Sequence, residues 1–206
     1  RDWTLAANAT QLAQAGLADD APALWHRQAG WIKPARLVGA LLSEPGIAWH
    51  GNAPVAALAP LESGWQALDA TGRVLAEADM VVIAAGFASR SLLTAATGSS
   101  PALQAIRGQM SQGNHAPGSP EFPPFPVNGY GHLTPQVPFG SGTAWFAGAS
   151  YGRDDTDTSA RAQDHVANLE RLKSLVPRTA LQQLAEFSSD RVPAWVGVRC
   201  ASPDRL

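Results

Sequence analysis

The segment VAALAPLESGWQALDATGRVLA, residues 55–76, decides the fold class of this chain. Its short apolar runs are separated by Ser63-Gly64 and by Ala70-Thr71-Gly72, which supply turn chemistry at both bends. We therefore predict a three-stranded meander with strands over 55–61, 65–68 and 74–76. The unbroken apolar run at 80–84 follows, and it predicts a strand buried on both faces.

Helical patterns lie on either side of this meander. Residues 2–15 are predicted as a helix, with Asp2 as N-cap and Gly16 just past its end. A second helix is predicted from Pro34 to Glu44, with its apolar side turned inward at Leu37, Leu41 and Leu42. The longest helix is predicted over 159–176. Its inward residues repeat at helical spacing and are Ala162, Val166, Leu169, Leu172 and Val176.

The remaining segments complete an α+β pattern. We predict a helix over 89–96, strands over 106–112, 133–134 and 144–148, a Pro/Gly-rich loop over 113–126, a helix over 180–187 and a final strand up to Arg199. The fold class is therefore α+β, with a mixed or antiparallel sheet and flanking helices.

Composition limits the function classes. The chain has 206 residues, 45% of them hydrophobic, a net charge of −2 and one cysteine. One cysteine excludes an internal disulfide, and the histidines lack metal-ligand spacing, so we expect no metal and a reducing, cytoplasmic setting. We expect no membrane segment, because no apolar run approaches about 20 residues.

The net charge argues against a nucleic-acid-binding surface over the whole protein. The basic residues Arg153, Arg161, Arg171, Lys173 and Arg178 either form a local patch or line a solvated helix face.

Three short motifs have competing interpretations. Arg199 follows the apolar run 195–198, so it either pairs with an acid of the fold or binds an anionic ligand. Residues 148–152 match G-x-S-x-G, but a nucleophile elbow needs a helix directly after Ser150, and loop chemistry follows instead. The small residues that end 81–86 either let a flat ligand approach the backbone or make a tight turn. No phosphate-binding glycine motif occurs in the chain.

Four segments in this order resemble one family: residues 30–34 (GWIKP), 81–86 (VVIAAG), 107–109 (RGQ) leading to 131–135 (GHLTP), and 148–151 (GASY) with the closing 195–206. They are similar to the glycine oxidase / D-amino-acid oxidase family of FAD-dependent oxidoreductases. RGQ, GASY, residues 164–169 and residues 198–201 are most similar to a branch that modifies wobble uridine in tRNA.

The resemblance implies a division of the chain and a set of site residues. Residues 1–50 would be a helical part, 51–100 a partial FAD-binding domain and 101–206 a substrate-binding antiparallel sheet with helices. Arg199 would bind the substrate carboxylate, and Tyr130, His132 and Tyr151 would line the site, although relatives often carry tyrosine at the position of His132. Contacts to FAD would come from Val55, Ala84, Ala85 and Gly86. The 206 residues do not include the family's glycine-rich FAD loop, so we expect the isolated chain to bind FAD weakly or not at all.

The same resemblance implies the reaction. A neutral amine gives up a hydride to the flavin, and the imine hydrolyses. For the tRNA branch, the substrate would be the carboxymethylaminomethyl group of wobble uridine. Its carboxymethyl part would be released as glyoxylate, the amine would stay on the uridine, and a methyltransferase domain would be a fusion or partner. A free small amino acid such as glycine or sarcosine is the alternative substrate, and a non-catalytic binding fragment is a third possibility.

Overall fold

The computed structural model describes residues 3–115, 121–179 and 193–202. The chain divides into two compact units. The first comprises residues 1–32, 107–152 and 157–197, and the second comprises residues 33–106, 153–156 and 198–206. The predicted helix over 180–187 lies outside the described residues. The three-part functional division implied by the family resemblance stays a prediction.

The N-terminal segment of the first unit is not one helix, so that prediction was wrong. Strand β1 (Thr4–Ala6) pairs antiparallel with β2 (Leu24–His26), and helix α1 runs only over Ala9–Gln14. Asn8 caps this helix: its side chain accepts from the Gln11 N–H, and the Gln11 side chain accepts from the Asn8 N–H. This reciprocal capping box satisfies two N–H groups at once and sets where the helix begins.

The main sheet confirms the α+β prediction. Its strands are β6 (Gln104–Asn114), β7 (Val127–Gly129), β8 (Gly131–Phe139), β9 (Gly142–Gly148), β10 (Gly152–Arg153) and β11 (Ala194–Ala201). The strand order is β10-β6-β9-β8-β7, and β11 also pairs with β6. Both β6 and β8 pair antiparallel with β9, so the strands predicted from 106–112, 133–134 and 144–148 are confirmed.

Helix α4 (Ala162–Leu175) covers one face of this sheet. Its C-terminal half packs on the sheet through an apolar cluster of Phe122, Leu133, Trp145, Ala147, Leu172, Leu175 and Val176. The predicted buried side was wrong in the N-terminal half, where Val166 is exposed and His165 and Asn168 are buried. The cause is the facing strand: Arg107, Gln109 and Ser111 of β6 are buried polar residues, and they require polar partners on the helix.

The polar layer between β6 and α4 is closely bonded. Arg107 donates from Nη1 to Asp164 Oδ2 at 2.5 Å and from Nε to the Asp157 carbonyl at 2.6 Å. Asn168 Nδ2 donates to the Gln109 carbonyl at 2.9 Å and to Ser111 Oγ at 3.1 Å. No buried side-chain nitrogen or oxygen among the described residues lacks a hydrogen-bond partner. This layer therefore fixes the position of α4 along the strand.

The second unit contains the predicted meander. Strands β3 (Ala57–Pro60), β4 (Trp65–Leu68) and β5 (Val74–Ala78) pair antiparallel in that order. Helix α2 (Pro34–Leu42) begins at the predicted proline, and α3 (Ser89–Thr97) follows a 3-10 turn over Gly86–Ala88 and packs against β3. None of the helices that the structure describes has both the length and the apolar character needed to cross a bilayer.

Two burial predictions in the second unit were wrong. Residues 80–84 form no strand, and Met80 and Val82 are 76% and 78% exposed. Among the described residues no strand pairs with this run, and its alternate residues Val81 and Ile83 are only half-buried. Leu37 and Leu41 of α2, predicted to point inward, are also exposed. Apolar character in the sequence identified surfaces that favour burial, but it did not identify what would cover them.

Candidate functional site

The sheet face opposite α4 is the open face of the first unit. Side chains alternate across a strand, so residues adjacent to the buried Ser111, Leu133 and Ala147 point away from the helix. They are half-buried, and they are Met110, Gln112, His132, Thr134 and Phe146. The strand register aligns His132 with Gly148 and aligns Gly148 with Met110. The open face thus carries both apolar and polar side chains, with one imidazole near the end where β8 begins.

His132 is the titratable group among the described residues named for this face. Desolvation by burial lowers its pKa below the ordinary value of 6.5, because a buried imidazole loses hydration that its charged form needs more than its neutral form does. The neutral ring has one nitrogen that accepts a hydrogen bond and one that donates. It can therefore accept a hydrogen bond from the N–H of a ligand without adding positive charge to its surroundings.

The other two predicted residues of the first unit lie at the same end of the sheet. Tyr130 occupies the turn between β7 and β8, and Tyr151 follows the end of β9. Both are exposed, Tyr130 by 81% and Tyr151 by 58%. Antiparallel pairing of β8 with β9 brings the start of one strand to the end of the other. The structure therefore gathers Tyr130, His132 and Tyr151 at one sheet end.

Ser150 serves as an anchor for the segment that carries Tyr151. Its Oγ accepts from the Gln109 N–H at 3.1 Å, and its own N–H donates to the Gln109 carbonyl at 3.1 Å. The residue after Tyr151 enters strand β10, so no helix follows Ser150. The G-x-S-x-G match is therefore not a nucleophile elbow, as expected from the loop residues after it.

Arg199 lies in β11 and belongs to the second unit. It is exposed, although its neighbours Val198 and Cys200 are half-buried. A guanidinium exposed on a strand of small and apolar residues can present its planar fork to a carboxylate with two parallel hydrogen bonds. Arg199 also interacts with another group of the protein. A structural role and a carboxylate-binding role are therefore both compatible with its position.

The four residues predicted to contact FAD also belong to the second unit. Val55 is 40% exposed and stands two residues before β3. Among the described residues nothing hydrogen-bonds its backbone N–H or C=O, although the next residue, Ala56, donates to Leu68. A base or ribose at this edge would find an unused backbone donor and acceptor.

Ala84, Ala85 and Gly86 form an exposed run of small residues that leads into the 3-10 turn. Gly86 has φ of +57°, and a Cβ built there would meet no atom within 4 Å. The surface beside this run is thus open to an extended cofactor that lies against backbone. Together with Val55, these residues fit contacts to the adenosine side and the body of FAD. The run carries no phosphate-binding glycine motif for its pyrophosphate.

Sequence reasoning missed one arrangement at this sheet end. The guanidinium carbon of Arg171, on α4, lies 5.9 Å from the centroid of the Tyr130 ring. Arg171 was only one member of a basic set whose interpretation was open. Three others are paired with carboxylates, namely Arg161 with Asp157, Lys173 with Glu170 and Arg178 with Asp19. Those three are solvated ion pairs rather than a basic patch.

Comparisons with known proteins agree on a family. Residues 2–206 match the family model described as FAD dependent oxidoreductase (DAO). The chain is 53% identical over 209 residues to the tRNA 5-methylaminomethyl-2-thiouridine biosynthesis bifunctional protein MnmC of Polaromonas naphthalenivorans, and the match covers all of this chain and 33% of that protein. The protein of the same name from Delftia acidovorans is 45% identical over 219 residues. The chain spans about a third of the length of these curated relatives.

A solved structure shares the fold. The crystal structure of glycine oxidase from Geobacillus kaustophilus superposes with a TM-score of 0.72 at 22% identity. The superposition covers 98% of this chain and 52% of that one. At this identity the likeness concerns the fold alone, and the α+β architecture of both compact units falls within it.

Proposed function

The chain belongs to the FAD-dependent oxidoreductase (DAO) family, and from this premise we propose that it is part of an enzyme that oxidises the carboxymethylaminomethyl group of a wobble uridine in tRNA. The observation that carries the proposal is 53% identity along the whole chain to a protein named for tRNA 5-methylaminomethyl-2-thiouridine biosynthesis. The family is FAD-dependent, which agrees with the resemblance in the sequence. Glyoxylate would be the product released, and the cytoplasm, where tRNA is modified, would be the location.

The proposed roles follow from the chemistry of each residue. When bound, FAD supplies the acceptor for the hydride that leaves the carbon next to the substrate nitrogen. Arg199 binds the substrate carboxylate, and a two-bond contact would fix the orientation of that carbon as well as add affinity. His132 in its neutral form accepts a hydrogen bond from the amine N–H, which orients the nitrogen and adds no positive charge beside it. Tyr151 lies at the same end of the sheet as His132 and lines the site.

The cofactor contacts are proposed for Val55, Ala84, Ala85 and Gly86 on the fit described above. These contacts lack a pyrophosphate loop, so the chain by itself would hold FAD weakly. The bifunctional relatives are about three times longer, and we propose that the remaining length of the full protein supplies that loop and a methyltransferase domain.

The test uses the full-length gene product loaded with FAD. The substrates are tRNA whose wobble uridine carries the carboxymethylaminomethyl group, free glycine and free sarcosine. Hydrogen peroxide and glyoxylate are measured for the wild type, Arg199→Lys and Arg36→Lys. Arg36 is a matched control, because it is an exposed arginine of α2 outside the proposed site. We expect turnover with tRNA that falls at least about ten-fold in Arg199→Lys, the loss expected when a charge-assisted two-bond contact is broken. Arg36→Lys should match the wild type.

Three other outcomes would change the proposal. Turnover of free glycine or sarcosine without tRNA would favour an oxidase of small amino acids. Full-length protein without flavin absorbance, and without peroxide on any substrate, would favour a non-catalytic binding role. Equal activity of Arg199→Lys and wild type on tRNA would indicate that Arg199 has a structural role and does not bind the substrate carboxylate.

A further inference from the structure

Tyr130 is held in solvent by the turn that carries it. The flanking glycines lie directly on α4: a Cβ at Gly129 would stand 3.0 Å from Leu175 Cδ1, and one at Gly131 would stand 3.2 Å from Arg171 Cβ. Gly131 also has φ of +146°, which side chains rarely adopt. The backbone of the turn is thus pressed onto the helix, and the tyrosine ring between the two glycines remains 81% exposed.

Arg171 is fixed beside this ring by the polar layer. Its Nη1 donates to Asn168 Oδ1 at 3.3 Å, and Asn168 is fully buried and bonded to β6. Its guanidinium lies 5.9 Å from the Tyr130 centroid, within cation–π range. Among the described residues, Arg171 has no carboxylate partner, unlike Arg161, Lys173 and Arg178. Most of its five N–H donors therefore remain available for an anion.

An exposed ring with an anchored, unneutralised guanidinium does not serve the core. What distinguishes Tyr130 from other exposed aromatic residues, such as Trp3, is the arginine fixed beside its ring, and the two groups together offer a stacking face and a cation to another molecule. Single-stranded RNA supplies both complementary groups: unpaired bases stack on aromatic faces, and phosphates pair with arginine. A protein partner would more commonly bury apolar neighbours with the ring, but the adjoining residues here are Gly129, Gly131 and Asn128.

We propose that Tyr130 and Arg171 form a contact for an unpaired nucleotide of the tRNA substrate, with the base stacked on the Tyr130 ring and a phosphate paired with Arg171. This inference rests on the proposed function and makes it more specific. The two residues recognise the RNA around the reacting nucleotide, whereas Arg199 recognises the group that is oxidised. Selectivity for tRNA over small amines then comes from a separate, stacking contact on the first unit.

The experiment compares two substrates on the full-length, FAD-loaded enzyme: undermodified tRNA and the free nucleoside 5-carboxymethylaminomethyluridine. The variants are Tyr130→Ala, Tyr130→Phe and Arg171→Ala. Trp3→Ala is the matched control, because Trp3 is an exposed aromatic of the same unit, 67% exposed, outside the proposed contact. Steady-state kinetics, the flavin spectrum and tRNA binding at two salt concentrations are measured for each protein.

We expect Tyr130→Ala to raise KM for tRNA about ten-fold or more, since stacking on an aromatic ring contributes about 1–3 kcal/mol per base. The ratio of kcat/KM for tRNA to that for the nucleoside should fall by a similar factor. Tyr130→Phe keeps the stacking face and should stay within about two-fold of wild type. Arg171→Ala should reduce the slope of log affinity against log salt by about one, as expected for one lost phosphate contact. Trp3→Ala should behave as wild type.

The outcomes separate this inference from the proposed function. Wild-type turnover of tRNA with an unchanged KM in Tyr130→Ala would overturn the stacking contact and leave the proposed function in place. An equal loss on tRNA and on the nucleoside would also overturn it, because it would place Tyr130 in the pocket for the reacting group. Failure of the wild type to oxidise tRNA at all would overturn the proposed function, and with it this inference.

Discussion

Arg107 donates to Asp164 across the interface between β6 and α4 at 2.5 Å, and the arginine side chain is only 2% exposed. The same guanidinium also bonds the carbonyls of Asp157 and Ser159 and the side chain of Gln109. A buried guanidinium with one charged and three neutral acceptors has compensation for most of its lost hydration. This residue therefore joins the segment 157–164 and the start of α4 to the strand.

Arg107→Met should destabilise the folded protein strongly. The substitution leaves Asp164 and two carbonyls without their donor, and loss of one partner of a buried pair costs about 3–5 kcal/mol. We expect the lower end, because the Asp164 side chain is 15% exposed and partly solvated. Urea unfolding measures the change. Lys173→Met is the control: its pair with Glu170 is exposed on both sides and should contribute less than about 1 kcal/mol. Equal effects of the two substitutions would contradict the structural role of Arg107.

Asp69 stabilises the hairpin between β4 and β5. Its Oδ1 accepts from the side chain and the N–H of Thr71 and from the N–H of Arg73, and its Oδ2 accepts from Arg73 Nε. The bond from the Thr71 side chain, followed by that from Arg73, holds the pKa of this carboxyl well below 3.8. The pKa is lowered on folding, so the contribution of Asp69 is complete above about 3.8 and is lost as the pH falls through its folded pKa.

Asp69→Asn should therefore lower the melting temperature at neutral pH, and its difference from wild type should shrink as the pH falls below about 3.8. Thermal melts over a pH series measure this. Asp79→Asn, which removes an exposed carboxylate just after β5, serves as the control for charge alone. A difference between wild type and Asp69→Asn that grows toward low pH would show that the carboxylate does not stabilise the turn.

The elements predicted correctly have local causes. Turn residues at 63–64 and 70–72 delimit the meander, and β4 has the predicted bounds, Trp65–Leu68. Alternation and short apolar runs likewise predicted the paired strands around 133 and 144–148. In each case the strand, its turn and its partner are close in sequence, so the information needed is within one short segment.

The wrong predictions depended on contacts remote in sequence. The buried side of α4 was predicted from its apolar residues, but the side of the helix that packs against Arg107, Gln109 and Ser111 is polar. The apolar run 80–84 was assigned as a buried strand with no knowledge of a covering surface. The helix over 2–15 is a different case, since the Asn8–Gln11 capping box was present in the sequence and pointed to the true start. The pairing of Tyr130 with Arg171 required the position of the turn on α4, which no local pattern contains.

The imidazole of His132 should make stability depend on pH in the weakly acidic range. Burial lowers its pKa below 6.5, so the unfolded chain binds a proton more readily than the folded one. Stability is therefore complete above about pH 6.5 and decreases as the pH falls toward the folded pKa. His132→Gln should show a smaller loss of unfolding free energy between pH 7.5 and 5.5 than wild type.

Urea unfolding at the two pH values measures this slope. Burial also lowers the pKa of His115, so part of the wild-type slope should remain in His132→Gln. His50→Gln, at an exposed loop position, controls for the loss of a histidine as such. A slope in His132→Gln identical to that of wild type would show that the imidazole on the open face does not titrate with a lowered pKa.

Two glycines that face tryptophan rings should respond oppositely to alanine. A Cβ at Gly113 would stand 2.4 Å from Trp145 Cζ2, and one at Gly197 would stand 2.6 Å from Trp195 Cη2. The two clashes are similar, but Trp145 is 2% exposed and Trp195 is 60% exposed. A buried ring has no room to move, so Gly113→Ala should cost about 1–3 kcal/mol through overpacking. The exposed ring of Trp195 can rotate away, and Gly197→Ala should be neutral or slightly stabilising, because alanine loses less chain entropy on folding than glycine does. Urea unfolding of both variants, with tryptophan fluorescence as the probe, measures the contrast. A similar loss at both positions would show that the Trp195 ring is held as firmly as the one in the core.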